Sequence, residues 1–388
     1  MRYIIVGAGA VGGTIGGCLF QGGHEVVLVA RGAHLEALRA GGLRLATPLG
    51  TATLDIPAVG GPGEVDLRPD DVLILAAKTQ DAAALLGDWA WQPVSDGTPS
   101  GGSVAGDRLP GSSVAGDRRP GGSVADGTLP GGSVSGGTPS GGSVAADVLP
   151  VVCAQNGVAS ERLALRRFRQ VYGMHVWLPA THLEPGTVLA QGMPLAGLLH
   201  VGRYPSGADA TAERIAADLT RSRFLAPVTP DVMRWKYGKL LDNLVNAIEA
   251  LCGRAASGFG DGGADGGDAA ELRRLVRAEG VAVLDVAGFA YTTASERADV
   301  RGDHVRIEQI GGSARAGGSS WQSLTRATGT IEADYLNGEI VLLGREHGVP
   351  TPVNEALQRL ANQAARSRRA PGFMTAGQVL AAAGVGRG

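Results

Sequence analysis

Cysteine is scarce in this chain. Cys18, Cys153 and Cys252 are the three in 388 residues. The number is odd, the separations are long, and none has the spacing of a metal site. A disulfide framework and a zinc centre are therefore excluded, and a reducing, cytoplasmic compartment is expected. Neither sign of charge dominates: 35 Lys and Arg face 37 Asp and Glu, for a formal net charge of -2 and a pI near 6.4. Nucleic acid and anionic membrane are not the partners that this balance selects. No stretch approaches the roughly 18 uninterrupted apolar residues of a membrane span. The N-terminus has one early positive charge and apolar residues, as a signal peptide does, but its glycines and its strand-turn-helix pattern argue against that reading. Aromatic residues make up only 4%, whereas glycine reaches 62 residues. That imbalance calls for a local cause. The length allows two domains with a sizeable core.

The first dozen residues organise the chain. Arg2 to Val6 is an apolar, β-branched run that reaches Gly7-Ala8-Gly9-Ala10-Val11-Gly12, and a helical stretch from Val11 to Phe20 follows. A G-x-G-x-x-G pattern between strand and helix reads as a dinucleotide site. Gly7 serves the tight turn, Gly9 the approach of backbone to a pyrophosphate, and Gly12 the contact of helix with sheet. The N–H groups at Ala10 and Val11 open the helix, where its dipole favours phosphate. Glu25 to Ala30 is the second strand. In the NAD-binding form of this fold an acidic residue ends that strand; here Arg31 stands there. A guanidinium suits a 2′-phosphate, so NADP is the expected cofactor.

Asp71 to Ala77 reads as a buried parallel strand, with Lys78 at its carboxyl end and a helix from Gln80 to Trp91 after it. Ligands of open α/β sheets bind at such ends. Lys78 is thus either a ligand contact or a solvated cap. From Gly101 to Pro150 the sequence repeats every ten residues, beginning Gly-Gly-Ser-Val-Ala-Gly-Asp-Arg-Leu-Pro. Each unit offers too few apolar residues to offset the cost of ordering it. The reading is a flexible insertion over about 94–147 in a surface loop, and it accounts for the glycine excess. A strand at Val148 to Ala154 resumes the sheet and ends at Gln155-Asn156-Gly157. Asn156 reads as a ligand contact or as part of an Asn-Gly turn.

Further strands are expected at Val171 to Leu178, Thr187 to Ala190 and Leu198 to Gly202, and a helix at Asp209 to Arg221. From about Asp231 the pattern turns helical. Arg234 to Leu251 reads as one helix that carries Lys239, Asn243 and Asn246 on one face, at i, i+4 and i+7. Flanking leucines favour a polar cleft for this stripe over solvent, with a structural polar network as the alternative. A lysine in a cleft can polarise a carbonyl and give it a proton. Ser257 to Asp268 reads as a loop without calcium-site spacing. Glu271 to Ala287 is an amphipathic helix, Thr330 caps a helix through Gly344 with Glu332 in its first turn, and Asn354 to Arg366 is the last strong helix. The fold class is α/β: a Rossmann-like doubly wound parallel sheet over residues 1–228, followed by an all-helical domain over 229–388.

Taken together, these pieces resemble the ketopantoate reductase family. The match is carried by Gly7-Ala8-Gly9-Ala10-Val11-Gly12, Arg31, Lys78, Gln155-Asn156-Gly157, Lys239-Leu240-Leu241-Asp242-Asn243, Ser319 and Ile331-Glu332-Ala333-Asp334-Tyr335-Leu336-Asn337-Gly338, in family order. The resemblance implies NADPH-dependent reduction of 2-dehydropantoate to pantoate, a small 2-oxo acid being the partner. It implies Lys239 as the proton donor and Glu332 as the active-site glutamate. It implies Asn243 and Ser319 as substrate contacts, Lys78 and Asn156 at the meeting of cofactor and substrate, and Arg31 on the 2′-phosphate. The family's second asparagine position is held by Ala247, with Asn246 beside it as a further substrate contact. Ser319 and Ser320 compete for one role. The alternatives are an NADP-dependent enzyme of another 2-oxo or 2-hydroxy acid, or a non-catalytic NADP-binding relative. A homodimer is compatible with all of them.

Overall fold

The computed structural model describes residues 1–95, 143–258, 267–311 and 317–385. In chain order, β1 (Arg2–Val6) leads to α1 (Ala10–Gln21), β2 (Glu25–Val29) and α2 (Gly32–Gly41). Then come β3 (Leu43–Thr47), β4 (Gly50–Leu54), β5 (Ala58–Val59), β6 (Asp71–Leu75) and α3 (Ala82–Ala90). Next are α4 (Ala145–Val148), β7 (Pro150–Cys153), α5 (Ser160–Leu165), β8 (Gln170–Trp177), β9 (Ala180–Thr181) and β10 (Thr187–Ala190). β11 (Gly192–Pro194), β12 (Gly197–Arg203), α6 (Ala210–Arg221) and β13 (Phe224–Leu225) complete this part. The rest is α7 (Val232–Asn243), α8 (Asn246–Cys252), α9 (Arg254–Ser257), α10 (Asp268–Ala287) and α11 (Ala294–Arg301). After β14 (Val305–Ile307) come α12 (Ser319–Thr325), α13 (Asn337–His347), α14 (Pro352–Arg366) and α15 (Ala376–Ala382).

The main sheet has the strand order β13-β12-β8-β7-β6-β1-β2-β5. β1 pairs in parallel with β2 on one side and β6 on the other, placing Ile4 beside both Val27 and Leu73. The chain therefore reverses its winding at β1, which is where such sheets open a crevice at their carboxyl ends. Side chains of β1 alternate between two cores. Tyr3 and Ile5 pack with Ile15, Leu19 and Leu28 on one face. Ile4 and Val6 pack with Leu73, Leu75 and Trp89 on the other. Each fully buried Ile or Leu of this kind stabilises the fold by about 1.5–3 kcal/mol. A third core lies within the helical part, around Leu240, Leu241, Leu244, Val276 and Leu357.

Several elements depart from the sequence reading. The insertion is shorter at both ends than 94–147. Pro93 bridges Val144 in antiparallel fashion, Val94 N donates to the Ser143 carbonyl, and Val94, Ala145 and Ala146 are buried in the core beside Trp89. The last repeat copy supplies apolar residues that the sheet face can cover, so it folds as α4, and Val148 belongs to that helix instead of the following strand. The remainder of the repeat lies outside the described residues, as do most of the residues read as a loop at 257–268.

The helix read as Arg234 to Leu251 is two helices, α7 and α8, separated at Leu244-Val245. At that break the Leu244 carbonyl accepts from Asn337 Nδ2 at 3.1 Å. Thr330 does not cap a helix. A 3-10 turn at Glu332–Tyr335 starts after Ile331, and α13 begins only at Asn337. α14 is not the last helix: α15 follows, opened by a reciprocal capping box of Thr375 and Gln378. That S/T-x-x-E/Q signature was present in the sequence. A second sheet, β4-β3-β10-β9, and the pair β11-β14 complete the fold. Among the described residues, no helix is long and apolar enough to cross a membrane, and no cluster of three or more His, Cys, Asp or Glu is placed to hold a metal ion.

Candidate active site

A cavity of about 1080 Å³ lies between the carboxyl ends of the main sheet and helices α7, α8 and α12. Gly7, Gly9, Ala10, Val11, Arg31, Lys78, Asn156, Lys239, Asn243, Asn246, Ser319 and Glu332 all line it. Gly12 does not. It lies beneath the turn, where a Cβ would come within 2.1 Å of the Gly7 carbonyl oxygen and 2.9 Å of Ile5 Cγ2.

The glycine turn divides into two kinds of constraint. Gly7 has φ of +104° and a Cβ there would meet Ala77 N at 2.5 Å, so fold geometry alone requires it. At Gly9 the nearest atom to a Cβ is His182 Cδ2 at 4.0 Å. Among the described residues nothing excludes a side chain there, and the position opens onto the cavity. α1 begins at this point with no side-chain cap and no acidic residue in its first turn. Its opening N–H groups and dipole end are left to an anion. The donor set fits a dinucleotide pyrophosphate.

Two histidines brace the turn. His34 Nε2 donates to the Ala8 carbonyl at 2.8 Å, while its Nδ1 accepts from Gly186 N. His182 bonds the Thr187 carbonyl through Nδ1, and its ring lies 4.3 Å from that of His34. Burial pushes the His182 pKa down to about 4, helped by the neighbouring His34 and Arg326. Both rings are neutral supports. Arg31 is exposed at the rim and pairs with Asp81 at 2.6 Å, which holds the guanidinium at the end of β2.

Lys78 leaves the end of β6 and crosses to the helical side. Its Nζ donates to the Thr330 carbonyl at 3.3 Å and to Thr328 Oγ1 at 3.5 Å. Burial lowers its pKa, and the charge of Glu332 opposes that shift. Glu332 does not cap its own helix. Its Oε1 accepts from Thr79 N and Thr79 Oγ1, each at 3.1 Å. Burial raises its carboxyl pKa, countered by the Thr79 N–H and by Lys78. The one Thr79 hydroxyl proton is shared between Glu332 Oε1 and the Asn156 carbonyl, which lies 3.2 Å from Oγ1. One threonine thus links the ends of β6 and β7 to the glutamate, an arrangement with no mark in the sequence beyond its position beside Lys78.

Lys239 lies on α7 with its Nζ donating to the Val176 carbonyl of β8. One turn earlier, Lys236 is buried in an ion pair with Glu161 and donates to the carbonyls of Gln155 at 3.1 Å and Cys153 at 3.4 Å. This lysine clamps α7 onto the strand end that carries Asn156. The sequence offered one sign of it, a second lysine three residues from Lys239; the partner Glu161 had none. Asn243 and Asn246 are buried and face the cavity across the helix break. Glu249, three residues on, accepts from Gly318 N at 2.8 Å and so draws the start of α12 onto α8. A Cβ on Gly318 would strike the same carboxylate at 2.6 Å. Ser319 lines the cavity and Ser320 does not. The buried atoms Ser319 Oγ, Asn243 Nδ2 and both amide atoms of Gln155 have no hydrogen-bond partner among the described residues. Buried polar atoms in that state call for a ligand or water.

Comparison with known proteins agrees with this layout. Residues 3–98 match the family model described as ketopantoate reductase PanE/ApbA, and residues 231–365 match the model of its C-terminal part. A 2-dehydropantoate 2-reductase of Archaeoglobus fulgidus is 26% identical over 361 residues, covering 92% of this chain and 96% of that protein. A PanE/ApbA family ketopantoate reductase from Ralstonia eutropha JMP134 superposes with a TM-score of 0.66 at 23% identity, over 95% of this chain and 99% of that one. D-mandelate dehydrogenase in ternary complex with NADH and anilino(oxo)acetate superposes with a TM-score of 0.69 at 20% identity, over 95% and 99%. The two family models lie on either side of the cavity, one carrying the glycine turn and the other Lys239 and Glu332. The chain belongs to the ketopantoate reductase family.

Proposed function

We propose that the protein reduces 2-dehydropantoate to (R)-pantoate with NADPH. Residues 1–228 act as the NADP-binding unit and 229–388 as the catalytic unit. The observation that carries this reading is the meeting of Lys239, Asn243, Ser319 and Glu332 with the glycine turn in one cavity.

Bound NADPH supplies a hydride to C2 of the 2-oxo acid. Gly7, Gly9, Ala10, Val11 and Gly12 shape the pyrophosphate site, and Arg31 meets the 2′-phosphate. Lys78 and Asn156 stand where the nicotinamide and substrate ends adjoin. Lys239 polarises the C2 carbonyl and passes one proton from Nζ to its oxygen as the alkoxide develops. The Val176 carbonyl holds that ammonium in place before substrate enters. Asn243, Asn246 and Ser319 orient the carboxylate end, which completes the unpartnered Asn243 Nδ2 and Ser319 Oγ. Glu332, pinned by Thr79, accepts from the substrate's hydroxyl. Alignment of reacting atoms accounts for much of the barrier reduction in such transfers. The odd number and wide spacing of the three cysteines fit a reducing, cytoplasmic setting.

The test is a panel of 2-oxo acids with NADPH and NADH, followed at the nicotinamide absorbance. The expected outcome is highest kcat/KM for 2-dehydropantoate, with NADPH preferred. A larger kcat/KM for another 2-oxo acid would reassign the substrate, and no turnover of any would remove the catalytic reading.

A further inference from the structure

Beyond Lys239, the same cavity has a wall that the proposed reaction does not use. Arg273 and Arg277 are four apart on α10, and Arg297 and Arg301 are four apart on α11; all four line the cavity. Like charges at this spacing destabilise a helix by about 0.2–0.5 kcal/mol per pair, yet the fold carries two such pairs facing one space. The inner two, Arg277 and Arg297, converge on Asp242 of α7. Arg277 Nη1 donates to Asp242 Oδ1 at 3.1 Å, and Arg297 Nη2 donates to Oδ1 and Oδ2 at 2.7 and 2.6 Å.

The outer two arginines are held by groups that carry no charge. Arg273 Nη1 donates to the Ala256 carbonyl at 2.8 Å. The Arg301 guanidinium carbon sits 4.7 Å from the centre of the Trp177 ring. Among the described residues no carboxylate pairs with either, whereas Arg277 and Arg297 share Asp242 and Arg254 of the same cavity faces Glu249 at 3.9 Å. A carbonyl and a ring face orient a guanidinium and leave most of its five donors open. Asp242 is three residues from Lys239, so this wall begins about one helical turn from the reacting centre.

We infer that Arg273 and Arg301 form a second anion subsite, for a carboxylate or phosphate group at the far end of a ligand whose near end lies against Lys239 and Asn243. The inference rests on the reading that the near end holds a 2-oxo acid. 2-Dehydropantoate has no second anionic group, so the subsite points to a longer dianionic substrate or inhibitor that shares the cavity. The planar fork of arginine pairs with either oxyanion in bidentate fashion.

Calorimetry on the NADP-loaded protein tests this with three probes of matched length: pentanoate, glutarate and 4-phosphonobutanoate. Glutarate or 4-phosphonobutanoate is expected to bind about tenfold tighter than pentanoate, as a charge-assisted contact allows. The better of the two identifies the second group as carboxylate or phosphate. In the Arg273→Gln/Arg301→Gln variant the preference falls to within about twofold, while kcat for 2-dehydropantoate stays near the wild-type value. Arg273→Gln alone, which gives up one carbonyl contact, provides the same reading if the double variant does not fold. Equal binding of the three probes by the wild type, or a preference that survives the substitutions, overturns the subsite. Absence of 2-oxo acid turnover by the wild type would instead count against the proposed reaction, since the calorimetric preference does not depend on it.

Discussion

The two ends of the cavity are built in opposite ways. At the end proposed to hold the nucleotide, one continuous stretch between β1 and α1, Gly7 to Gly12, presents backbone, with the Arg31 side chain at the rim. At the end proposed to hold the substrate, side chains form the wall, and they come from α7, α8, α12 and the turn at Glu332, meeting Lys78 and Thr79 from the sheet. Thr79 and Glu332 are 253 residues apart in the chain. A backbone site can be encoded locally because the turn and the helix end create it by themselves. A chemical site needs charges buried side by side, and only packed elements can hold those together.

Four substitutions or deletions probe this contrast, in decreasing order of effect. Lys239→Ala should lower kcat by about 10²–10⁴-fold while the NADPH Kd from a fluorescence titration changes by no more than about twofold. A rate near that of the wild type would remove Lys239 from the chemistry. The second concerns the clamp. Glu161→Gln leaves Lys236 buried without its charge partner, and loss of one member of such a pair costs about 3–5 kcal/mol. Denaturant melts should show that loss, and Lys236→Met/Glu161→Leu should regain much of it. If Glu161→Gln alone melts like the wild type, the pair does not hold α7 to the sheet.

Third, Arg31→Ala should weaken NADPH by about tenfold and leave NADH unchanged, since only the 2′-phosphate loses a charge-assisted contact. An equal loss for both cofactors would mean that the pairing of Arg31 with Asp81 shapes the site and that the phosphate is read elsewhere. The smallest effect is expected from deleting residues 101–140. The pairing of Pro93 and Val94 with Val144 and Ser143 ties the two ends of this segment together inside the described fold. Loop-closure cost changes only slowly with length, about 0.6 kcal/mol per doubling. The melting temperature and cofactor affinity should therefore stay nearly constant, and a large drop in either would give the repeat a structural part.

Much of the fold was legible because period and punctuation agreed. β1, α1 and β2 lie within a residue or so of where the apolar runs and the glycine turn placed them. β6, β8 and α6 followed in the same way. Apart from α15, whose capping box is a local signal, the departures come from long-range contact overriding local pattern. The break at Leu244-Val245 goes with a bond from Asn337, and Glu332 turned away from its helix to Thr79. α4 exists because the core beside Trp89 accepts Ala145 and Ala146. The hairpin of β3 and β4 was missed altogether; it gains its third and fourth partners from β10 and β9, far along the chain.

The sequence by itself determined the dinucleotide turn, the switch from sheet to helix, and the lysine, asparagine, serine and glutamate types that line the cavity. Those depend on local backbone geometry and on motif spacing, which the order of residues contains. The tertiary structure decided which charges meet. It pinned Glu332 on Thr79, buried Lys236 against Glu161, and brought Arg277 and Arg297 together on Asp242. Such encounters are set by how helices and strands pack, because the energy of a buried charge depends on its neighbours in space and not on its neighbours in the chain.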